Sequence, residues 1–315
     1  MKNKIEMTKK TELTLEEGFE LFLRKAKVKN LSELTIKTYK YHFVSLTEFM
    51  DASENLNEIT GEDIDEYILY LKSRQGVKDV TVNSYLRTIR AFFYYCMECG
   101  YMTRFKIVMP KLDREVKETY TDDELSLLLK KPDLKKCSFT EYKTWVFENY
   151  LLGTGNRISS ALGVKIGDID FEGGMILIRK SKNRKQQLIP LSKSLANILK
   201  EYIEIRGDDS ENYLFCNMYG EKGCIRTFQQ EVQEYNIKRN VNRTSCHVFR
   251  HTFAKHWILA GGDVFRLQKI LGHHDLKMTK EYVEIFGQDL SRNFDSFNPL
   301  EKFKDNRAKL LVTMG

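Results

Sequence analysis

The chain has 315 residues, of which 42% are hydrophobic and 30% charged, with a formal charge of +7. That length suggests about two domains, and that composition describes an ordinary core-forming chain with a mild preference for a polyanionic partner. No apolar run reaches the roughly 20 residues of a membrane span, and the polar N-terminus has no apolar stretch of a secretory signal.

Residues 1–11 read as a charged leader. Thr14 and Glu17 form a capping box ahead of an apolar stripe at Phe19, Phe22, Leu23 and Ala26. A second helix carries Ile36, Tyr39, Phe43 and Leu46. A third opens at Thr60 and Asp63 and carries Ile64, Tyr67, Ile68 and Leu71. A fourth starts near Thr81, carries Val82, Leu86, Ile89, Phe93 and Cys96, and ends at Gly100. Residues 12–100 are therefore expected to form a four-helix unit. Its polar positions, among them Lys37, Lys40, His42, Arg87 and Arg90, fit either a solvated face or a phosphate-gripping one, with Thr38, Asn83 and Tyr85 as polar contacts. Cys96 and Cys99 make a CxxC with no second pair at matching spacing, so buried thiols are expected there rather than zinc. The six cysteines of the chain make no disulfide framework, which points to a reducing cytoplasm.

Periodicity breaks over residues 101–118, which read as an inter-domain linker. Thr121 and Glu124 open the next helix with another capping box. An apolar and aromatic helix follows around Tyr142 to Leu152, then the turn Thr154-Gly155-Asn156-Arg157 and a short helix. Met175–Ile178 and Leu188–Pro190 are β-like runs flanking the basic stretch Lys180–Lys185, so a hairpin with a basic tip is expected. Helices are then expected from Ser192, over Ile225–Ile237, over His247–Leu259, and over Val264–Leu271 after Asp263, stopped by Gly272.

The chemistry concentrates late in the chain. His247 and Arg250 are three apart and share one helix face. His273 and Tyr282 follow, and Arg157 stands upstream. A tyrosine hydroxyl is a weak nucleophile until its proton is removed or its product stabilised. A phosphodiester under attack gathers charge on its non-bridging oxygens, which two arginine forks can clamp. His247 and His273 can add hydrogen bonds or move protons, and a hairpin lysine such as Lys182 can protonate the leaving oxygen. The blander alternatives are a structural histidine–arginine pair, an ordinary core tyrosine, and a metal at His273-His274-Asp275.

The joint order and spacing resemble the tyrosine recombinases of the phage integrase family. That family carries a TGxR turn, a hairpin lysine, an HxxR helix, an LGH turn and a tyrosine nine residues beyond it. Here they stand as Thr154-Gly155-Asn156-Arg157, Lys180–Lys185, His247-Val248-Phe249-Arg250, Leu271-Gly272-His273 and Tyr282. The resemblance spans residues 12–290. It implies an α+β, mainly α fold: an N-terminal SAM-like four-helix core-binding domain over 12–100, a linker over 101–118, and a mixed α/β catalytic domain with a small β-sheet over 119–293. It also implies a tail, 294–315, exchanged between protomers. Many members of the family carry a further N-terminal arm-binding domain; the short leader before Thr14 is expected to leave no room for one. By resemblance Arg157 and Arg250 bind the scissile phosphate, His247 and His273 support it, Lys182 (or Lys180) is the acid and Tyr282 the nucleophile. No cofactor or metal is expected. The implied partners are double-stranded DNA, three further copies of the chain on two duplexes, and an accessory DNA-bending or excisionase protein. The chain departs from the family at Ser160, where an acidic residue is usual.

Overall fold

The computed structural model describes residues 12–112, 117–179, 186–217, 219–286, 295 and 298–303. The chain divides into two compact units, Met1–Arg114 and Glu115–Gly315.

The first unit packs four helices, α1 (Leu15–Val28), α2 (Glu33–Thr47), α3 (Gly61–Ser73) and α4 (Asp79–Glu98). The first and third begin where local chemistry tells them to. Thr14 Oγ1 accepts the Glu17 amide at 3.2 Å, and the Thr14 amide returns a bond to Glu17 Oε2 at 3.0 Å. The Thr60 amide meets Asp63 Oδ2 at 2.7 Å in the same way. Aromatic residues dominate the core: Phe19 stacks on Phe43 with centroids 3.7 Å apart, and Phe92 meets both rings edge-on. Cys96 is buried, and burial pushes its thiol up to about 12, while Cys99 is exposed. Three of the residues considered for a phosphate-gripping face point inward instead. His42 Nδ1 pairs with Thr88 Oγ1 at 2.7 Å, Asn83 bonds the carbonyls of Asp79 and Pro110, and Tyr85 is buried against His42. Each has an apolar body or a nearby backbone acceptor, so burial with a partner outcompetes exposure.

The second unit is built around α6 (Phe139–Thr154), which buries residues on every side: Tyr142, Trp145, Val146, Phe147, Tyr150 and Leu151. A helix apolar all round must be enclosed. It is enclosed by α8 (Lys193–Arg206), α9 (Ile225–Lys238) and α10 (Cys246–Leu259). The short α5 (Asp122–Leu128) and α7 (Ile158–Ala161) flank it. A small antiparallel sheet runs β1 (Ile169–Asp170), β2 (Met175–Ile178), β3 (Gln187–Pro190), with Ile176 opposite Ile189. Pro190 can sit there because β3 is an edge strand. Beyond α10 come α11 (Val264–Leu271) and α12 (Leu276–Phe286). They share a separate small cluster of Ala254, Leu267, Leu271 and Tyr282, with Phe253, Trp257 and Phe286 packed on it. Among the described residues no helix is long and apolar enough to cross a membrane.

One buried acid stands out in α6. Glu148 is 0% exposed, and neither carboxyl oxygen has a hydrogen-bond partner among the described residues. Burial raises its pKa well above the usual carboxylate range, with Arg239 only partly opposing. The folded protein thus binds a proton at Glu148 that the unfolded chain has released, so stability falls as pH rises above the unfolded value of about 4.3. Glu148→Gln is expected to keep the stability seen near pH 5 and to remove that part of the decline towards pH 8. Urea unfolding of both proteins at the two pH values measures the difference; parallel declines would mean that Glu148 is ionised in the fold.

Candidate active site

The turn after α6 is tied down from within. Thr154 Oγ1 donates to the Tyr150 carbonyl at 2.7 Å and accepts the Asn156 amide at 3.3 Å, and Asn156 Nδ2 reaches Tyr150 Oη at 2.9 Å. Gly155 takes a left-handed conformation, φ +63°, as the C-cap of α6. A Cβ there would lie 2.7 Å from Phe253 Cδ1 and 2.9 Å from Leu271 Cδ2. Gly155→Ala is therefore expected to destabilise the protein by about 1–3 kcal/mol, from strain plus overpacking. A urea midpoint unchanged from wild type would contradict this.

Gly155 matters because of what its carbonyl holds. Arg250, on α10, is 4% exposed. It donates from Nη1 to Gly155 O at 2.8 Å and from Nη2 to Leu271 O at 2.8 Å. Leu271 is the last residue of α11, whose C-cap, Gly272, is also left-handed at φ +61°. The guanidinium thus bridges two helix C-termini, where the backbone dipoles carry negative partial charge. Nη2 also meets His273 Nε2 at 2.7 Å. A guanidinium only donates, so Nε2 accepts, and His273 Nδ1 carries the hydrogen that it offers to Thr279 Oγ1 at 2.8 Å. His273 is accordingly neutral: burial and the charges of Arg250 and Arg157 push its pKa down to about 3.

Arg157 starts α7 as its N-cap residue and is half-buried. Its side chain makes no hydrogen bond or ion pair among the described residues, and burial lowers its pKa. Its charge reaches Arg250, whose pKa falls to about 10 through burial first and Arg157 second. Among the described residues no carboxylate pairs with either guanidinium, so the two cations act on each other across the site. Ser160, buried in α7, supplies no compensating charge.

Tyr282 lies on α12, 2% exposed, in this same place. Its hydroxyl is 2.7 Å from His251 Nδ1. Its ring lies parallel to that of His273 with centroids 6.2 Å apart. Burial raises the phenol pKa, while the charges of Arg250 and Arg157 pull it back. His251 is held neutral, its pKa pushed down to about 4 by burial and then by Lys117 and His247. A neutral imidazole at the phenol oxygen is the arrangement that proton removal needs. His247 is exposed on the next turn of α10, its ring 6.4 Å from that of His251.

The structure thus gathers Arg157, Arg250, His273 and Tyr282, with His247 at the rim. Lys182 and Lys180 fall outside the described residues, as does most of the 294–315 tail. The base of the hairpin that carries them is anchored beside the site: Gln187 Nε2 donates to the carbonyl of Ile270 at 2.8 Å and also to that of Lys269. Two contributors were not anticipated as site residues. His251 was open to discovery, because it lies four residues from His247 and so on the same helical face. Lys117, whose ammonium lies 4.1 Å from the centre of the Tyr282 ring, leaves no such trace in the sequence.

The model of the phage integrase family matches residues 118–288. The chain belongs to that family. The family's N-terminal SAM-like domain matches residues 19–100. Members of the family are tyrosine recombinases, enzymes that cleave and rejoin DNA, and this chain is one of them. Similar curated proteins are the tyrosine recombinase XerD of Staphylococcus saprophyticus, 25% identical over 282 residues that cover 86% of this chain and 94% of the relative, and that of Staphylococcus aureus, 26% identical over 291 residues with the same coverage. Among solved structures the fold is similar to the Tn1549 transposon integrase in complex with transposon right end DNA, with a TM-score of 0.71 and 21% identity, covering 89% of this chain and 99% of that one. It is also similar to XerH site-specific recombinase bound to palindromic difH substrate, with a TM-score of 0.68 and 22% identity, covering 88% and 83%. The mainly helical architecture with a small sheet is therefore that of a tyrosine recombinase.

Proposed function

We propose that this recombinase acts site-specifically on double-stranded DNA through a covalent 3′-phosphotyrosine at Tyr282 and a Holliday junction, to integrate or excise a mobile element. The observation that carries this reading is the pair of guanidiniums, Arg157 and Arg250, with no carboxylate partner among the described residues, beside a tyrosine hydroxyl that contacts a neutral histidine. Two fixed cations without an anion suit a phosphodiester whose non-bridging oxygens gain charge in the transition state.

In this reading Arg157 and Arg250 hold the scissile phosphate. Three donor contacts of Arg250 are committed to Gly155, Leu271 and His273, which leaves part of its fork for the phosphate. His273 fixes the plane of Arg250, His247 supports the phosphate from the rim, and His251 takes the phenol proton. The Tyr282 oxygen forms the new bond to phosphorus, the bond to the 5′ oxygen breaks, and Lys182 protonates that oxygen. Reversal with a 5′ hydroxyl from a second duplex rejoins the strands. Four protomers on two duplexes, and an accessory DNA-bending or excisionase protein, belong to this reading. The name of the XerD relatives favours a second one, Xer-like dimer resolution.

The test is a labelled duplex selected by the protein from a random-sequence library, nicked at successive positions across the bound segment, and incubated with the protein in EDTA. A protease-sensitive covalent band on a denaturing gel supports the chemistry. Salt-sensitive binding with no covalent band at any nick would indicate a catalytically silent DNA-binding protein. Junctions between two supplied duplexes distinguish recombination from simple relaxation.

A further inference from the structure

The segment that leads into α5 is fastened to α10 along its length. The Tyr120 amide donates to Thr252 Oγ1 at 2.9 Å, its hydroxyl donates to the Arg243 carbonyl at 3.0 Å, and its ring packs on Phe249 with centroids 4.6 Å apart. Thr119 Oγ1 accepts from Lys255 Nζ at 3.3 Å. Residue 117 is thus delivered to one place rather than left on a loose strand. From there the Lys117 ammonium meets Glu281 Oε2 at 2.7 Å, 164 residues away in sequence, and lies 4.1 Å from the Tyr282 ring centre.

Both contacts fall on α12. Other contacts of α12 include the Thr279–His273 bond, the Tyr282–His251 bond, Lys255 over the Phe286 ring and a small apolar cluster. A partly exposed ion pair alone contributes little. Here the same ammonium also lies over an aromatic face, which adds a cation–π attraction that holds the ring.

We propose that Lys117 is a positioning residue for the nucleophile: clamped by Glu281, it sets where the Tyr282 ring lies relative to the arginine pair. The inference rests on Tyr282 being the nucleophile. It gives the strap before α5 a task in the chemistry that none of the arginines or histidines performs. An attacking oxygen must be aligned to within a fraction of an ångström, and small misplacements are costly in rate. Lys117 acts on alignment, not on duplex affinity.

The test uses the full-length protein and the nicked duplex described above, in single turnover at saturating DNA. Lys117→Met keeps the stem and removes the charge. It is expected to slow covalent-band formation about ten-fold, with the duplex dissociation constant within two-fold of wild type. Lys117→Arg is expected to restore most of the rate, because it keeps a cation over the ring and a donor for Glu281. Glu281→Gln, which retains the side-chain shape and leaves Lys117 in place, is expected to slow the reaction about three-fold by loosening the clamp. Weakened binding with an unchanged saturated rate would make Lys117 a DNA-phosphate contact and overturn the proposal. So would an unchanged or faster rate in Lys117→Met, or a failure of Lys117→Arg to rescue. A wild-type protein that forms no covalent band would strike the functional reading itself, which keeps the two failures apart.

Discussion

Replacing Tyr282 with phenylalanine is expected to abolish covalent capture of DNA completely while leaving duplex affinity within about two-fold. The hydroxyl is the only atom removed. The ring keeps its place against Leu267, Leu271 and Ala254, so the packing that orders α12 survives. The lost partners are His251 Nδ1, 2.7 Å away, and the Arg250 guanidinium, a loss of about 1–3 kcal/mol. His273 has both ring nitrogens engaged, by Arg250 and by Thr279, and with Tyr282 as the nucleophile neither His247 nor His251 is expected to form a covalent link in its place. The measurement is the denaturing-gel band in EDTA, with the attachment site mapped by peptide mass. A band that persists in the variant, on any of the other tyrosines, would sink the assignment.

The second large effect separates the two arginines. Arg250→Lys is expected to lose at least about 10³-fold in cleavage, because one ammonium cannot bridge Gly155 O and Leu271 O and still face a phosphate. It is also expected to cost stability, about 1–3 kcal/mol, by stranding buried carbonyls and His273 Nε2. Arg157→Ala is expected to lose about 10²–10³-fold in cleavage with no loss of stability. Arg157 makes no hydrogen bond or ion pair among the described residues, and its burial opposes its charge. Single-turnover rates beside urea midpoints test both. Equal stability losses in the two variants would show that Arg157 is structural.

Most of the helices were legible because their signals are local. Thr14, Thr60 and Thr121 start helices through bonds made within three residues. Gly155 and Gly272 end helices at positive φ, and these two stops also frame the site, which is why the motif around them could be read. What was not legible is tertiary. β1 is two residues long and has no periodicity to detect. Helix α12 buries only Thr279 and Tyr282, and its apolar face makes sense only against α10 and α11. His42 and Asn83 read as surface groups until their partners, Thr88 and the Pro110 carbonyl, are seen. Lys117 could not be connected to Tyr282 by any spacing rule. Ser160, which stands where the family usually carries an acid, was legible as a departure, and among the described residues no carboxylate takes that acid's place beside the arginines.

Arg250 is buried between the ends of two helices rather than beside an acid. A carboxylate would hold it equally well, but would also cancel its charge and would have to be displaced or protonated when a phosphate arrived. Helix ends stabilise the guanidinium with partial charges that belong to the backbone and cannot dissociate. The folded protein therefore carries a standing electric field at the site, built from its own backbone. The work of assembling that field is done once, when the chain folds, and need not be repeated at each turnover.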